Sequence, residues 1–243
     1  MRVLVISDIH ANYTALEAVL KHAGEADETW CLGDLVGYGP DPNAVVEQIR
    51  ELPRLTCILG NHDVAVIGKM PFETFNGDAR RTLERHEKVL TADNLQFLRS
   101  LPVNAKVRGK ATIAHGSPRD PLWEYILNSL SARLNFDHFD TPWCFVGHSH
   151  IQCMFALNEE DDRVTLEQTK PDTTISLYPK LILNPGSVGQ PRDRDPRAAY
   201  AIYDTEKDTW EPRRVEYNVP EVQKRIRAAG LPEKHALRIG EGW

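Results

Sequence analysis

Val3-Leu4-Val5-Ile6-Ser7-Asp8-Ile9-His10 sets four apolar residues without alternation directly before a carboxylate and an imidazole. Such a run reads as a strand buried on both faces, the kind found in parallel sheets flanked by helices. The pattern recurs along the chain. Trp30-Cys31-Leu32 runs into Gly33-Asp34, and Cys57-Ile58-Leu59 into Gly60-Asn61-His62-Asp63. Ala111-Thr112-Ile113-Ala114 ends at His115, and Trp143-Cys144-Phe145-Val146 at Gly147-His148-Ser149-His150. If each apolar run is a strand, the polar residues emerge at carboxyl ends, the sheet edge where α/β proteins build ligand sites. Asp8, Asp34, Asn61, His10, His115, His148 and His150 then converge on one place.

Between the runs the spacing turns helical. Ala15, Leu16, Val19 and Leu20 follow Asn12, a good N-cap, and a helix near 42–51 carries Pro42 in its first turn. With strands expected at 2–7, 28–32 and 55–59, this β-α-β-α-β series argues for parallel strands and right-handed crossovers. Residues 72–100 read as helical with a break near Leu90. Thr91-Ala92-Asp93-Asn94 restarts the helix and Leu101-Pro102 ends it. Beyond that the texture is β-rich, with a hairpin around Gly109 and strands near 143–146, 151–157, 163–167, 181–184, 198–204 and 209–215. The expected architecture is one α/β domain over 1–243, two β layers with helices outside. A closing helix near 219–229 precedes a tail whose structure the sequence leaves open.

The 243 residues are ample for a core, and 41% apolar with 26% charged residues is ordinary for a soluble globular chain. No stretch approaches the roughly 20 apolar residues needed to span a bilayer. The N-terminus lacks the features of a secretory signal, so the chain reads as cytoplasmic. Cys31, Cys57, Cys144 and Cys153 form no C-x-x-C pair and read as free core residues. The net charge of −6 offers no general attraction for nucleic acid or anionic membrane.

Carboxylate, imidazole and amide donors without thiolate suit divalent Mn, Fe, Co, Ni or Zn. Seven donors exceed one tetrahedral ion and suit two ions sharing a carboxylate and a water or hydroxide. Two Asp and one hydroxide leave such a pocket cationic, able to draw in a phosphate group and neutralise charge during in-line displacement.

In these motifs and their order the chain resembles the calcineurin-like metallophosphoesterases, and within them the small YfcE-type bacterial and archaeal phosphodiesterases. The resemblance extends from Asp8 to the strand near 204. It implies a four-layer α/β/β/α sandwich with a dinuclear centre at the sheet edge, Mn being the first choice of metal. By resemblance, Asp8, His10 and His150 would bind one ion, Asn61, His115 and His148 the other, and Asp34 would bridge. His62 matches the family's non-ligand histidine beside the leaving group, with Asp63 expected to orient it. Asn184-Pro185-Gly186-Ser187-Val188-Gly189-Gln190-Pro191-Arg192 resembles a block of the same subgroup, which makes Arg192 a candidate substrate contact. Asn12 is a second. Ala11 and Ser149 depart from the family's usual Gly and Thr, neither at a ligand position.

The reading that follows is a metal-dependent phosphodiesterase acting on a small phosphate ester, with a bridging hydroxide attacking phosphorus in line. A nucleotide-directed hydrolase, either a nuclease or a dinucleoside polyphosphate hydrolase, would use the same fold and metals. A nuclease should add a basic or aromatic track. Arg80, Arg81, Arg85 and Lys88 are explained as a solvated helix face, and Trp123 and Tyr125 as packing. A non-catalytic scaffold is disfavoured because the ligand set is complete. Oligomeric state is not legible.

Overall fold

Val3 and Val5 of strand β1 (Arg2–Ile6) point one way and Leu4 and Ile6 the other, and all four are buried. That explains the lack of alternation: one set meets a second sheet and the other meets helices. The computed structural model describes residues 1–243, the side chain of Gln168 excepted. From β1 the chain passes through α1 (Tyr13–Ala23), β2 (Glu28–Cys31), α2 (Pro42–Arg50) and β3 (Leu55–Cys57), and the three strands are parallel neighbours. Asn12 caps α1 as expected, its side chain accepting from Ala15 N.

A short helix α3 (Asn61–Val66) starts inside the Gly60-Asn61-His62-Asp63 motif. A 3-10 turn (Phe72–Thr74), α4 (Gly77–Val89) and α5 (Ala92–Ser100) follow, the last capped by Thr91. The expected hairpin is β4 (Asn104–Val107) and β5 (Ala111–Ala114). Next come α6 (Ser129–Phe136), β6 (Trp143–Phe145), β7 (Gln152–Asn158), β8 (Arg163–Gln168), β9 (Ile175–Ser176) and β10 (Leu181–Pro185). The chain closes with β11 (Ala198–Asp204), β12 (Thr209–Val215), α7 (Val219–Ala228) and α8 (Glu233–Glu241).

The strands form two mixed six-stranded sheets, ordered β3-β2-β1-β11-β12-β9 and β4-β5-β6-β10-β7-β8. Between them lies a core of Val3, Val5, Trp30, Leu32, Phe145, Leu183 and Trp210. Helices α1 to α5 cover the first sheet and α6 the second, which gives four layers. All four cysteines are buried and free. No helix of the described residues is long and apolar enough to cross a membrane.

Several elements depart from the sequence expectation. The strands before the site stop one or two residues early, because the chain turns into loops at Ser7, Leu32 and Ile58. Helix α6 lies in a stretch with no expected element, its Leu130 and Leu134 exposed while Ala132, Asn135 and Phe136 carry the buried face. The tail of uncertain structure is helix α8, whose Ala236 and Ile239 pack on Val222 and Ile226 of α7.

Candidate metal centre

Five carboxyl-terminal strand ends deliver the site: β1 to Asp8 and His10, β2 to Asp34, β3 to Asn61 and His62, β5 to His115, and β6 to His148 and His150. The loops continue the sheets by hydrogen bonding, Asp8 N to Gly33 O at 3.0 Å, His10 N to Asp34 O at 3.0 Å and Gly147 N to His115 O at 2.8 Å. Asp8, His10, Asp34, His148 and His150 all hold left-handed backbone, with φ from 48 to 62°. Side-chain-bearing residues enter that region reluctantly, and its concentration here is the kind of strain functional loops keep. Glycines make the crowding tolerable. A Cβ at Gly60 would lie 2.0 Å from Asp34 Oδ1, and one at Gly147 would lie 2.0 Å from Ser7 Oγ.

The Asn184–Arg192 block braces these loops. Asn184 Nδ2 donates to Gly147 O at 2.8 Å and Ser149 Oγ at 3.0 Å, while Ser187 Oγ donates to Asp8 O at 2.8 Å.

The imidazoles reveal what the cluster is built for. His10 Nδ1 lies 2.9 Å from Val36 O, His115 Nδ1 2.9 Å from Leu32 O, and His150 Nδ1 2.5 Å from Gln190 O. A carbonyl only accepts, so each Nδ1 carries a proton and each Nε2 is the atom turned toward the cluster. Yet His10 Nε2 faces His150 Nε2 at 3.1 Å, and His115 Nε2 faces His148 Nδ1 at 3.1 Å and Asn61 Oδ1 at 3.2 Å. At His10 and His150, both kept neutral by burial, two acceptors thus face each other across a dry site and repel unless a cation stands among them, while at His115 a proton held by Asp34 takes that place.

The carboxylates repeat the pattern. Asp8 Oδ2 is anchored by Ser7 Oγ and His148 N, while Oδ1 has no hydrogen-bond donor and sits 3.2 Å from His150 Nε2. Asp34 Oδ1 accepts from His62 N, while Oδ2 lies 3.3 Å from His115 Nε2 and 3.6 Å from His10 Nε2. Burial alone would raise both carboxyls, but His150 beside Asp8 and His115 beside Asp34 hold them below the usual carboxylate range. Against the effect of its own burial, His115 is raised to about 10 by Asp34, while burial drops His148 to about 3.

The donor atoms fall into Asp8, His10 and His150 on one side and Asp34, His115 and His148 on the other, with Asn61 beside His115. Buried His/Asp clusters of this make-up fit two divalent ions, with Asp34 reaching a histidine of each group.

Three expectations need correction. Asp63 does not orient His62. Its oxygens take the amides of Leu35, Val36 and Gly60, so it locks the β2 loop to the start of α3, and His62 Nδ1 has no partner among the described residues. Asn12 is not free for substrate, since its amide donates to Gly189 O at 3.0 Å and its oxygen caps α1. Trp123 and Tyr125 are not core packing: with His62, Phe75 and Arg192 they line the cavity over the donor cluster. Tyr125 stacks on His148 with ring centroids 3.9 Å apart. Arg192 does reach the cavity, its Nη2 within 3.1 Å of Gln190 Oε1 and 3.4 Å of Tyr38 Oη. Tyr38, buried among His10, His62 and His235, had no signal in the sequence beyond its place in a Gly- and Pro-rich loop.

A model of the calcineurin-like phosphoesterase superfamily domain matches residues 1–208. A metallophosphoesterase from Sphaerobacter thermophilus superposes with a TM-score of 0.92 at 45% identity, covering 100% of this chain and 99% of that one. An uncharacterized protein of Methanocaldococcus jannaschii is 40% identical over 95% of this chain and 94% of its own length. A symmetrical bis(5'-nucleosyl)-tetraphosphatase of Erwinia tasmaniensis is 30% identical over 55% of this chain and 50% of its own. These likenesses hold at the level of the superfamily. With its strand-end Asp, Asn and His residues gathered at one sheet edge, the chain belongs to the calcineurin-like phosphoesterase superfamily.

Proposed function

We propose that this protein is a dinuclear-metal-dependent phosphodiesterase. The observation that carries the reading is the facing of two lone pairs, His10 Nε2 against His150 Nε2 at 3.1 Å, with His115 Nε2 and His148 Nδ1 set against each other at the same distance. Asp8, His10 and His150 would hold one ion, Asn61, His115 and His148 the other, and Asp34 both. Two such ions, Mn being the first choice, would polarise phosphoryl oxygens and supply a water nucleophile at neutral pH.

The remaining steps belong to the chain's own side chains. Arg192 keeps its Nε without a partner among the described residues, so its guanidinium has a donor left for a non-bridging phosphate oxygen. A single guanidinium matches the single charge of a diester better than the double charge of a monoester. His62 lines the same cavity, and burial lowers it to about 4. It is therefore neutral at pH 7 and serves the departing oxygen as an N–H donor through Nε2, its Nδ1 being shut against Gly37.

Replacing His62 by Ala should leave two metals bound. Hydrolysis of an alkyl-leaving diester should fall by about 100-fold or more, and that of bis-p-nitrophenyl phosphate far less. Equal losses on both substrates would remove His62 from the leaving-group role.

A dinucleoside polyphosphate hydrolase is the second reading, favoured by the partial likeness to the Erwinia tetraphosphatase and by the aromatic cavity wall. Product analysis on a dinucleoside tetraphosphate separates the two. A nuclease has less in its favour, because Arg80 of the α4 basic cluster is paired with Glu84 and Glu73.

A further inference from the structure

Trp123 and Tyr125 flank Glu124, and Glu124 is tied down from several directions. Its carboxylate accepts from Ser117 Oγ at 2.6 Å and Asn135 Nδ2 at 2.9 Å, and it pairs with Arg119. Trp123 N donates to Asp120 Oδ1 at 3.2 Å and Gly116 N to Pro121 O at 2.7 Å, so the 116–125 loop is closed on itself. With Glu124 directed into that network, its two neighbours turn to the cavity. Across the opening, the 3-10 turn sets Phe75 4.9 Å from the His62 ring and 5.2 Å from Trp123. The aromatic surface is thus held rigidly and left wet: Tyr125 is 43% exposed, and Phe75 and Trp123 are only partly buried. Open aromatic faces beside a polar pocket are a binding feature.

We propose that Phe75, Trp123 and Tyr125 form a stacking subsite for a planar aromatic substituent of the substrate, a nucleobase or aryl ring, beside the reacting phosphate. The inference rests on the phosphoesterase reading of the same site and adds the class of group that the phosphate carries. Phe75 touches both His62 and Trp123, so the ring lies on the leaving-group side. Stacking accepts any flat π face, and each such contact contributes about tenfold or more in affinity.

The test is calorimetric binding to manganese-loaded protein of inorganic phosphate, ribose 5-phosphate, adenosine 5'-monophosphate, methyl phosphate and phenyl phosphate. Affinities are read as ratios to inorganic phosphate for each protein. The nucleotide should bind about tenfold tighter than ribose 5-phosphate, and Trp123→Leu or the surface variant Tyr125→Ala should reduce that advantage to about twofold or less. Phenyl phosphate exceeding methyl phosphate by the same factor assigns the subsite to any aryl ring, and an advantage confined to the nucleotide assigns it to nucleobases. Phosphate binding without any ring preference, or a preference that survives both variants, overturns the subsite alone. If inorganic phosphate itself fails to bind, the phosphoesterase reading falls and takes the subsite with it.

Discussion

Asp34→Asn should lower phosphodiester hydrolysis by more than about a hundredfold and reduce bound metal from two ions per chain to one or none. Supporting partners of metal ligands alone change affinity or activity by about 10–100-fold, so a residue within reach of both donor groups should exceed that range. The geometry also predicts that the fold survives. Asn is isosteric, its oxygen can keep the bond from His62 N, and its NH2 would then face the lone pairs of His115 and His10 where Asp34 Oδ2 now lies. Without the carboxylate His115 loses the group that holds its second proton, and its Nε2 can then accept from the Asn NH2. At neutral pH the metal-free variant gives up the pairing of protonated His115 with Asp34, so it should melt below the metal-free parent but still in one cooperative transition, which separates loss of metal from loss of structure. Two ions still bound, with activity within tenfold of the parent, would place Asp34 outside the centre.

Much of this site was legible because its chemistry sits at fixed places in the strand grammar. A strand buried on both faces leaves a continuous apolar run, and the polar residues that follow it lie at the sheet edge. Asp8, Asp34, Asn61, His115 and His148 all follow that rule, and the structure brings them together. What stayed hidden depends on where long loops return. Tyr125 stacks on His148 only because Glu124 is pinned to Ser117 and Asn135, pairings set by the tertiary fold rather than by spacing. Asp63 misled for a related reason. Adjacent in sequence to His62, it stands at the third position of α3, where a carboxylate turns back to the helix start and takes the Gly60 amide. Helix α8 escaped because half its surface is polar and its apolar side reads as a helix only once α7 is beside it.

Manganese added to metal-free protein should raise the melting temperature by roughly 15–30 °C, more at alkaline than at acid pH. A ligand at a thousandfold excess over its Kd stabilises the folded state by about 4 kcal/mol, so two sites contribute about 8 kcal/mol. For a chain of this length each kcal/mol moves the midpoint by about 2–4 °C. The pH dependence follows from His115. Without an ion its Nε2 keeps a proton beside Asp34 Oδ2, which raises its folded pKa from 6.5 to about 10. A raised histidine stabilises the metal-free fold fully below about pH 6.5, and that contribution fades as pH climbs toward 10. An ion must displace the same proton to reach Nε2. Rising pH thus weakens the metal-free state and strengthens binding at once, and both effects enlarge the shift. Melting curves with and without manganese at about pH 6 and about pH 8.5 test this directly. A shift that shrinks with pH would mean the proton on His115 is not in competition with the metal. No shift at either pH would mean that the facing lone pairs of His10 and His150 are satisfied by the protein alone.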